Sequence, residues 1–465
     1  MSKVLLVTPP ESKVKEAYQT GSKFPRIGIA YIAGYLRSKG IDVKIVDSKV
    51  LQLTLDDVAK AISEYRPDIV GLGPFTEEII EAYNVCRISK SIDHRIMTVL
   101  GGPHASALPV RTLQECPEVD LVVLGEGEET LWRIHVRSEL QNIKGIAYRD
   151  KNQVNVNDSP ELIADIDSLP YPAWDLFPLD KYKGIMARKL GEETNRPVLQ
   201  LPISSARGCP YRCIFCYKTI AGLRTRAAEK IVDEIEYNMR AYESTDFFFA
   251  DGTFAADQKK GIAICDEIIK RRLNGKIVWE VETRVDIMTK EMADKLKMAG
   301  CTQVYLGVES GDSEILHGLN KGITLDMARC AVGLAKEAGL KTFCTFIIGH
   351  PNETKQTILS TYRFARELDP DIISVGIMIP YPGTRVCEMA IKGESGYRLI
   401  SDDWSDYQKQ KGGPLEMRDI TLRELRRIHD LEYLKFFLRP KKFWFLIRNI
   451  PAKKIFKISK QIIFK

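Results

Sequence analysis

Gly208-Cys209-Pro210-Tyr211-Arg212-Cys213-Ile214-Phe215-Cys216-Tyr217 is the stretch from which the rest of the chain is best read. It places three thiols at spacings of four and three residues, close enough for one compact loop to bring them together. Thiolates favour soft metals, and a four-iron cluster held by three cysteines leaves one iron open to an outside ligand. A tetrahedral zinc site wants a fourth ligand in a second pair, and no Cys or His follows Cys216 for 40 residues. At the level of these residues alone, structural zinc and inert cysteines remain the alternatives. The other cysteines, Cys86, Cys116, Cys265, Cys301, Cys330, Cys344 and Cys387, show no second metal spacing.

Downstream of the triplet, strand and helix periods alternate. Residues 246–250 read as a strand ending at Asp251-Gly252-Thr253-Phe254, 278–281 as one ending at Glu282-Thr283-Arg284, and 303–307 as one ending at Val308-Glu309-Ser310. Two more follow: 342–348, ending at Gly349-His350-Pro351-Asn352-Glu353-Thr354, and 372–379, ending at Pro380-Tyr381-Pro382-Gly383-Thr384. In a barrel of parallel strands, polar groups at the carboxyl ends face the site. Arg284 has the fork to pair with a carboxylate bidentately, the alternative being a structural ion pair with Glu309. His350 reads equally as a turn or a pocket residue. His317 reads as part of an ordinary helix and turn, and His94, His135 and His429 carry no functional signal.

Upstream, a β-branched run over Lys3–Thr8 breaks at Pro9-Pro10, and a helix-period segment at 27–39 ends at Gly40. The alternation continues with strands at 43–46, 69–72 and 97–100 and helices at 54–65 and 77–89, and Asp120 to Leu124 then leads into Gly125-Glu126-Gly127-Glu128. This is the pattern of an α/β, doubly wound sheet of about five strands, which binds ligands beyond its carboxyl ends. The expected rim is the set of loops after Val7, Leu72, Leu100 and Leu124. No GxGxxG follows the first strand, which argues against a dinucleotide, and mere tight turns are the alternative for Gly101, Gly102, Gly125 and Gly127. A hairpin-like stretch at 143–156 and a proline-rich segment around 167–174 read as a connector. The expected domains are therefore 1–140, a connector at 141–194, a core at 195–390 and a small, mainly helical C-terminal domain at 391–465.

At 465 residues, with 44% hydrophobic and 28% charged side chains, the chain is an ordinary multidomain globular protein by composition. Ten cysteines are too sparse for a disulfide framework, and no signal peptide or 18-residue apolar run is evident, so a reducing cytoplasm is expected. The net charge of +6 is local: residues 433–465 hold ten Lys or Arg and no acid, leaving −4 on the first 432. That segment also carries Tyr433, Phe436, Phe437, Phe443, Trp444, Phe445, Phe456 and Phe464, which makes it a candidate peripheral contact with the inner face of the cell membrane. The alternative is a basic helical hairpin packed on the acidic remainder. Nucleic acid is not expected, since no nucleic-acid fold surrounds the segment.

The Cys-x3-Cys-x2-Cys triplet, with an aromatic just before its last cysteine, resembles the radical S-adenosylmethionine (SAM) superfamily over residues 195–390. The resemblance implies a partial TIM-type (β/α)6 barrel with a [4Fe-4S] cluster on Cys209, Cys213 and Cys216, the open iron taking the amino and carboxylate groups of SAM. Further implied cofactor contacts are Tyr217; Asp251, Gly252 and Thr253 near the methionine amino group; Arg284; Glu309 and Ser310 near the ribose and carboxylate; and Gly349 near adenine. An α/β domain before such a core is similar to the cobalamin-binding radical SAM enzymes, which include class B methylases and the anaerobic ring cyclase of chlorophyll synthesis. That implies a Rossmann-like cobalamin domain with Thr8, Pro9, Pro10, Gly73, Phe75, Thr76, Gly101, Gly102, Pro103, His104, Gly125, Glu126, Gly127 and Glu128 on its rim. The Asp-x-His-x-x-Gly motif of classical cobalamin domains is absent, which implies binding without a histidine on cobalt.

The implied activity is C-methylation of an unactivated carbon in a lipid-like or other hydrophobic substrate, through a 5'-deoxyadenosyl radical and methylcobalamin, with electrons from a flavodoxin or ferredoxin. Cyclisation or C–C coupling of a lipid or tetrapyrrole is the alternative. A non-catalytic scaffold would leave the cysteine triplet unexplained. Oligomeric state is not legible.

Overall fold

The computed structural model describes residues 3–11, 24–151, 153–184, 198–408, 412–439 and 442. The chain divides into two compact units: Met1–Lys183 with Tyr217–Arg226, and Gly184–Cys216 with Ala227–Lys465.

In the first unit, short apolar runs form strands buried on both faces, as parallel strands between helices must be. β1 (Lys3–Thr8), β2 (Asp42–Asp47), β3 (Ile69–Leu72), β4 (Met97–Leu100) and β5 (Leu121–Val123) run parallel in the order β2-β1-β3-β4-β5. The helices Ile27–Ser38, Leu55–Tyr65 and Ile79–Ile92 make the crossovers, the second closed at its start by a Thr54–Asp57 capping box. Strand order reverses on passing from β2, on one side of β1, to β3 on the other, which opens a crevice at the carboxyl ends.

The sheet has seven strands, not five. β6 (Ile146–Asp150) and β7 (Gln153–Val156) continue it as an antiparallel hairpin, so part of the expected connector is the sheet's own edge. A tight turn permits only antiparallel pairing, and an edge hairpin tolerates one wet face, which explains its weak apolar signal. The proline-rich segment is also packed: Trp174 is fully buried and the Ala173 N–H donates to the Ala30 carbonyl at 3.0 Å.

The second unit is built on a six-stranded parallel sheet. Its order is β8 (Gln200–Ile203), β11 (Asp246–Phe249), β12 (Val278–Arg284), β13 (Cys301–Glu309), β14 (Lys341–Ile348) and β15 (Ile372–Ile377), an open, partial barrel with β8 and β15 at its edges. Two short strands flank the cysteine loop in sequence, β9 (Ala206–Gly208) before it and β10 (Leu223–Thr225) after it, the latter in the first unit. Helices including Gln258–Lys270, Lys290–Met298 and Lys355–Leu368 connect the strands. β8 carries little periodic signal and was not among the strands expected from sequence. β12 and β13 run on through Arg284 and Glu309, so these are terminal strand residues rather than loop residues.

The C-terminal segment belongs to this same unit instead of forming a separate one. The helix Arg385–Lys392, an antiparallel pair β16 (Tyr397–Leu399) and β17 (Leu415–Met417), and the helix Leu422–Phe437 make it up. That last helix is tied to the barrel by an Arg366–Glu432 ion pair at 2.9 Å and by His429 Nε2 at 3.0 Å from the Val375 carbonyl. Phe436 and Phe437 are buried, and the Tyr433 hydroxyl donates to the Ile373 carbonyl at 3.4 Å. Of these three aromatics, expected at a bilayer surface, Phe436 and Phe437 are core residues and Tyr433 is half-buried. The remainder of the expected membrane segment, apart from Leu434, Lys435, Leu438, Arg439 and Lys442, lies outside the described residues, as does the part of the connector at 185–194. No helix among the described residues is long and apolar enough to cross a membrane.

Candidate active site

The cysteine loop is held from several sides by elements of its own unit. Asp251, just beyond β11, accepts the backbone N–H of Ser205 at 2.7 Å and of Ala206 at 3.0 Å, and the Ser205 hydroxyl as well. It aims the chain into the loop. The Ile214 N–H donates to the Leu319 carbonyl at 3.1 Å, Asn320 Nδ2 to the Arg212 carbonyl at 3.0 Å, and the Val386 N–H to the Ile214 carbonyl at 3.2 Å. Inside the loop, the Cys216 N–H bonds the Cys213 carbonyl at 3.2 Å. Cys209 and Cys213 are half-buried and Cys216 is exposed; Cys209 Sγ lies 3.6 Å from Thr253 Oγ1, and Gly252 leaves the Cys209 side ordinary packing room.

Two cations stand beside the thiols. Arg284 is 5% exposed; its Nε and Nη2 donate to the two Asp286 oxygens at 2.9 Å, Nη2 also reaches the Lys321 carbonyl at 2.6 Å, and its guanidinium lies 3.6 Å over the Tyr211 ring. Among the described residues, its buried Nη1 has no hydrogen-bond partner. Lys321 donates to the Gly307 carbonyl at 2.9 Å and forms a buried ion pair with Glu309. Residue 307 must be glycine for this pair to exist, because a Cβ there would lie 2.5 Å from Lys321 Nζ and 2.6 Å from Glu309 Oε1. The Cys213 thiol is held below its ordinary pKa, first by the hydrogen bond from Cys216 and then, against its burial, by the charges of Lys321 and Arg284. The same hydrogen bond, with burial, pushes the Cys216 thiol up, so of the two it is Cys213 that ionises in the free loop, and the cations beside it suit an anionic iron–sulfur cluster. Among the described residues, no three His, Cys, Asp or Glu side chains gather as they would around a single metal ion. In a four-iron cluster, each thiolate bonds a different iron.

The alternative reading, an Arg284–Glu309 pair, does not hold; each takes a different partner, Asp286 and Lys321. Ser310 is fully buried and spends its hydroxyl on Thr361 Oγ1 at 3.3 Å and on the Asp312 N–H at 3.2 Å, docking the helix Lys355–Leu368. Beyond β14, Glu353 Oε2 accepts the Gly349 N–H and, at 3.0 Å, the His350 N–H, while its buried Oε1 has no partner among the described residues; burial pushes its pKa up to about 8. His350 is fully buried, its Nε2 3.4 Å from the Glu309 carbonyl and its ring centroid 6.5 Å from that of Phe215, and burial lowers its pKa to about 4. It is thus a packed residue of the strand-end loop. Sequence reasoning missed Lys321, Asp286, Tyr211 and Glu353 as members of this constellation. Asp286 had a signal, two residues beyond Arg284; Lys321, in a turn after a helix, had none.

In the first unit the rim loops meet. Gly102, at φ +75°, comes so close to Gly73 that a Cβ would lie 3.0 Å from the Gly73 carbonyl carbon. His104 Nδ1 is 3.2 Å from Thr76 Oγ1, so the loops after β3 and β4 are joined; burial lowers the His104 pKa to about 4. Pro9 and Pro10 are buried after β1, and Thr8 donates its hydroxyl to Asp47 at 3.0 Å. Phe75 is 50% exposed with the Arg26 guanidinium 5.0 Å from its ring, and Arg26 also donates to the Gly73 carbonyl at 2.9 Å. Against its burial, Arg26 and Lys49 hold Glu78 below the usual carboxylate range. Gly101 donates its N–H to the Leu72 carbonyl at 2.8 Å, Pro103 opens the helix Gly102–Ala107, and Gly125, Gly127 and the buried Glu128 line the loop after β5. Glu126 is committed elsewhere: both of its oxygens pair with Arg224 at 3.0 Å, and it accepts the Ile163 N–H at 2.8 Å. Tyr217 falls in the same Tyr217–Arg226 segment of this unit, so it is not grouped with the cysteines it follows. The glycine-rich crevice fits a large, flat-faced cofactor approaching backbone.

Two family descriptions match the chain, "B12 binding domain" over residues 18–134 and "Radical SAM superfamily" over residues 203–365. An uncharacterized methyltransferase of Pyrococcus horikoshii is 35% identical over 447 residues, covering 94% of this chain and 93% of that protein. The anaerobic magnesium-protoporphyrin IX monomethyl ester cyclase of Rubrivivax gelatinosus is 33% identical over 78% of this chain and 66% of its own length. The hopanoid C-3 methylase of Methylococcus capsulatus is 26% identical over 77% of this chain and 67% of that enzyme. Among solved structures, the radical SAM methyltransferase TsrM of Kitasatospora setae matches in fold with a TM-score of 0.72 at 18% identity, over 95% of this chain and 90% of that one. A cysteine loop poised for a cluster, a partial parallel barrel beneath it and a separate crevice-bearing sheet are what these families share, and the chain belongs to the cobalamin-binding radical SAM enzymes, related to the class B methylases and the anaerobic tetrapyrrole ring cyclases, with cobalamin, SAM and a [4Fe-4S] cluster as its cofactors.

Proposed function

We propose that the protein is a cobalamin-dependent C-methyltransferase acting on an unactivated carbon of a hydrophobic, lipid-like substrate. The observation that carries this reading is the 35% identity to a methyltransferase across nearly the whole of both chains, whereas the likeness to the cyclase ends at 66% of that enzyme. The hopanoid methylase supports a lipid, and so do the half-buried Phe343, Ile347 and Ile372 on the inner barrel face.

When bound, the cluster supplies the electron that cleaves SAM and cobalamin supplies a methyl group. In this reading Cys209, Cys213 and Cys216 hold the cluster, with Arg284 and Lys321 offsetting its negative charge. Thr253, Glu309 and Gly349 contact SAM, and Arg284 offers its carboxylate Nη1, which has no partner among the described residues. Asp251 and Ser310 act as positioning residues, since their oxygens bind the protein's own groups. Cobalamin belongs to the first unit, along the loops at Thr8–Pro10, Gly73–Thr76, Gly101–His104 and Gly125–Glu128. A flavodoxin or ferredoxin is the electron donor.

Anaerobic turnover of the reconstituted protein with methyl-labelled SAM and a crude lipid extract, read by mass spectrometry, tests this. Label entering a lipid product is the expected result. A product lighter by two hydrogens with no incoming methyl would replace it with the cyclase reading, which the 33%-identical relative favours. No 5'-deoxyadenosine at all would sink both.

A further inference from the structure

Gly349, just beyond β14, has its backbone held on both sides. Its N–H donates to Glu353 Oε2 at 2.5 Å, and its carbonyl accepts the Tyr397 hydroxyl at 2.8 Å. It sits at φ +88°, and a Cβ there would lie 3.2 Å from Leu425 Cδ2 and 3.4 Å from Met378 Cβ, so glycine alone takes this conformation without strain. The rest of the loop is fixed as well. His350 donates its N–H to Glu353 at 3.0 Å, and the Asn352 N–H donates to the Ser395 carbonyl at 3.2 Å.

Two of these partners, Ser395 and Tyr397, come from the C-terminal segment, beyond the residues 203–365 that match the radical SAM description. The chain is shaped to deliver them. After the helix Arg385–Lys392, Gly393, Ser395 and Gly396 take left-handed φ values of +68°, +51° and +78°, which turn the backbone sharply into β16. β16 then pairs with β17, Tyr397 opposite Met417, and both residues are buried. A buried tyrosine needs a partner for its hydroxyl, and here that partner is a backbone carbonyl 48 positions earlier. Gly349 is itself buried, so loss of the hydroxyl would strand its carbonyl away from water.

We propose that Tyr397 is a positioning residue for SAM: by fixing the Gly349 carbonyl it sets the backbone against which the adenine of SAM rests. The C-terminal segment then takes part in recognising SAM, through the adenosyl half of the molecule and not through the methionine half that meets the cluster. This rests on the reading above in which Gly349 contacts SAM, and it adds a residue from outside the radical SAM match to that site.

The test is anaerobic equilibrium dialysis of SAM and of methionine against cluster-loaded wild type, Tyr397→Phe and Tyr433→Phe. The Tyr433 hydroxyl makes the same kind of bond from the same segment to the barrel, 3.4 Å to the Ile373 carbonyl, so its loss controls for loosening of the segment alone. Tyr397→Phe is expected to weaken SAM binding about fivefold or more, the scale of one lost hydrogen bond with a stranded acceptor. Methionine, which lacks the adenosyl group, should bind Tyr397→Phe as it binds wild type, and Tyr433→Phe should bind both ligands normally. If Tyr397→Phe binds SAM as wild type does, or loses SAM and methionine to the same degree, the inference is overturned. Should Tyr397→Phe fail to keep its cluster, hydrogen exchange of wild type decides: SAM should slow exchange in peptides spanning 349–353 and 395–399 together, and protection of the first without the second overturns the inference. Failure of wild type to bind SAM at all would instead remove the reading beneath it.

Discussion

At the scale of single residues, the chemistry around the cysteine loop depends on which partner each buried charge has found. Lys321 and Arg284 are committed to Glu309 and Asp286, so they arrive at the thiols already fixed in place. In cluster-free protein the largest influence lowering the Cys213 thiol is the hydrogen bond from Cys216, with Lys321 next among the groups that lower it. The alkylation midpoint of Cys213, read by peptide mass spectrometry against pH, should therefore rise in both Cys216→Ala and Lys321→Ala, and more in the first. Equal or opposite shifts would show that the order of causes is wrong. Glu353 gives a second prediction. Its folded pKa is raised by burial from 4.5 to about 8, so the native state holds a proton that the unfolded chain releases across that window. Its contribution to stability accordingly falls as pH rises from about 4.5 to about 8. Glu353→Gln lacks this slope, and its stability relative to wild type in denaturant titrations should improve steadily across the same range. A constant difference would argue that Glu353 is ionised in the folded protein.

At the scale of elements, the segment Tyr217–Arg226 shows how a local signal and a tertiary role come apart. It follows the cysteines directly, yet it belongs to the first unit, where Arg224 grips both oxygens of Glu126 and Arg226 lies 3.3 Å from Asp167 and from the Tyr31 hydroxyl. The Glu126 side chain is 2% exposed and Arg224 is 17%, so removing either partner strands a largely buried charge. Arg224→Ala should cost about 3 kcal/mol in unfolding, and Arg224→Lys should recover only part of it, because an ammonium cannot match the bidentate geometry. If Arg224→Lys is as stable as wild type, the fork is not what holds the segment. The same logic explains the helix Leu422–Phe437: its basic and aromatic composition suggests a surface, but Phe436 and Phe437 are buried in its contact with the barrel.

At the scale of the whole molecule, the basic tail is the part still to be assigned a partner. We expect that removing residues 440–465 weakens binding to anionic liposomes at low salt and leaves 5'-deoxyadenosine formation intact; unchanged liposome retention in a co-sedimentation assay would end the membrane proposal. The alternating strands and helices and the three-cysteine spacing were legible in the sequence because they are local: buried parallel strands need contiguous apolar runs, and a cluster loop needs its thiols within a few residues. Hence the succession β1 to β5, the barrel strands from β11 onward, and Cys209, Cys213 and Cys216 could be read directly. The edge hairpin β6–β7 and strand β8 were harder, being short or half wet, with weak periodicity. Which charges pair was not legible at all. Lys321 finds Glu309 across a turn and a glycine, and Glu126 finds Arg224 across 98 positions, because packing, not neighbours in sequence, decides what lies beside each charge. The sequence by itself determined the kind of chemistry, through residue types at short spacing. Only the tertiary structure decided which polar groups are already satisfied and which are left for a ligand, because that depends on desolvated partners brought together by packing over long distances in the chain.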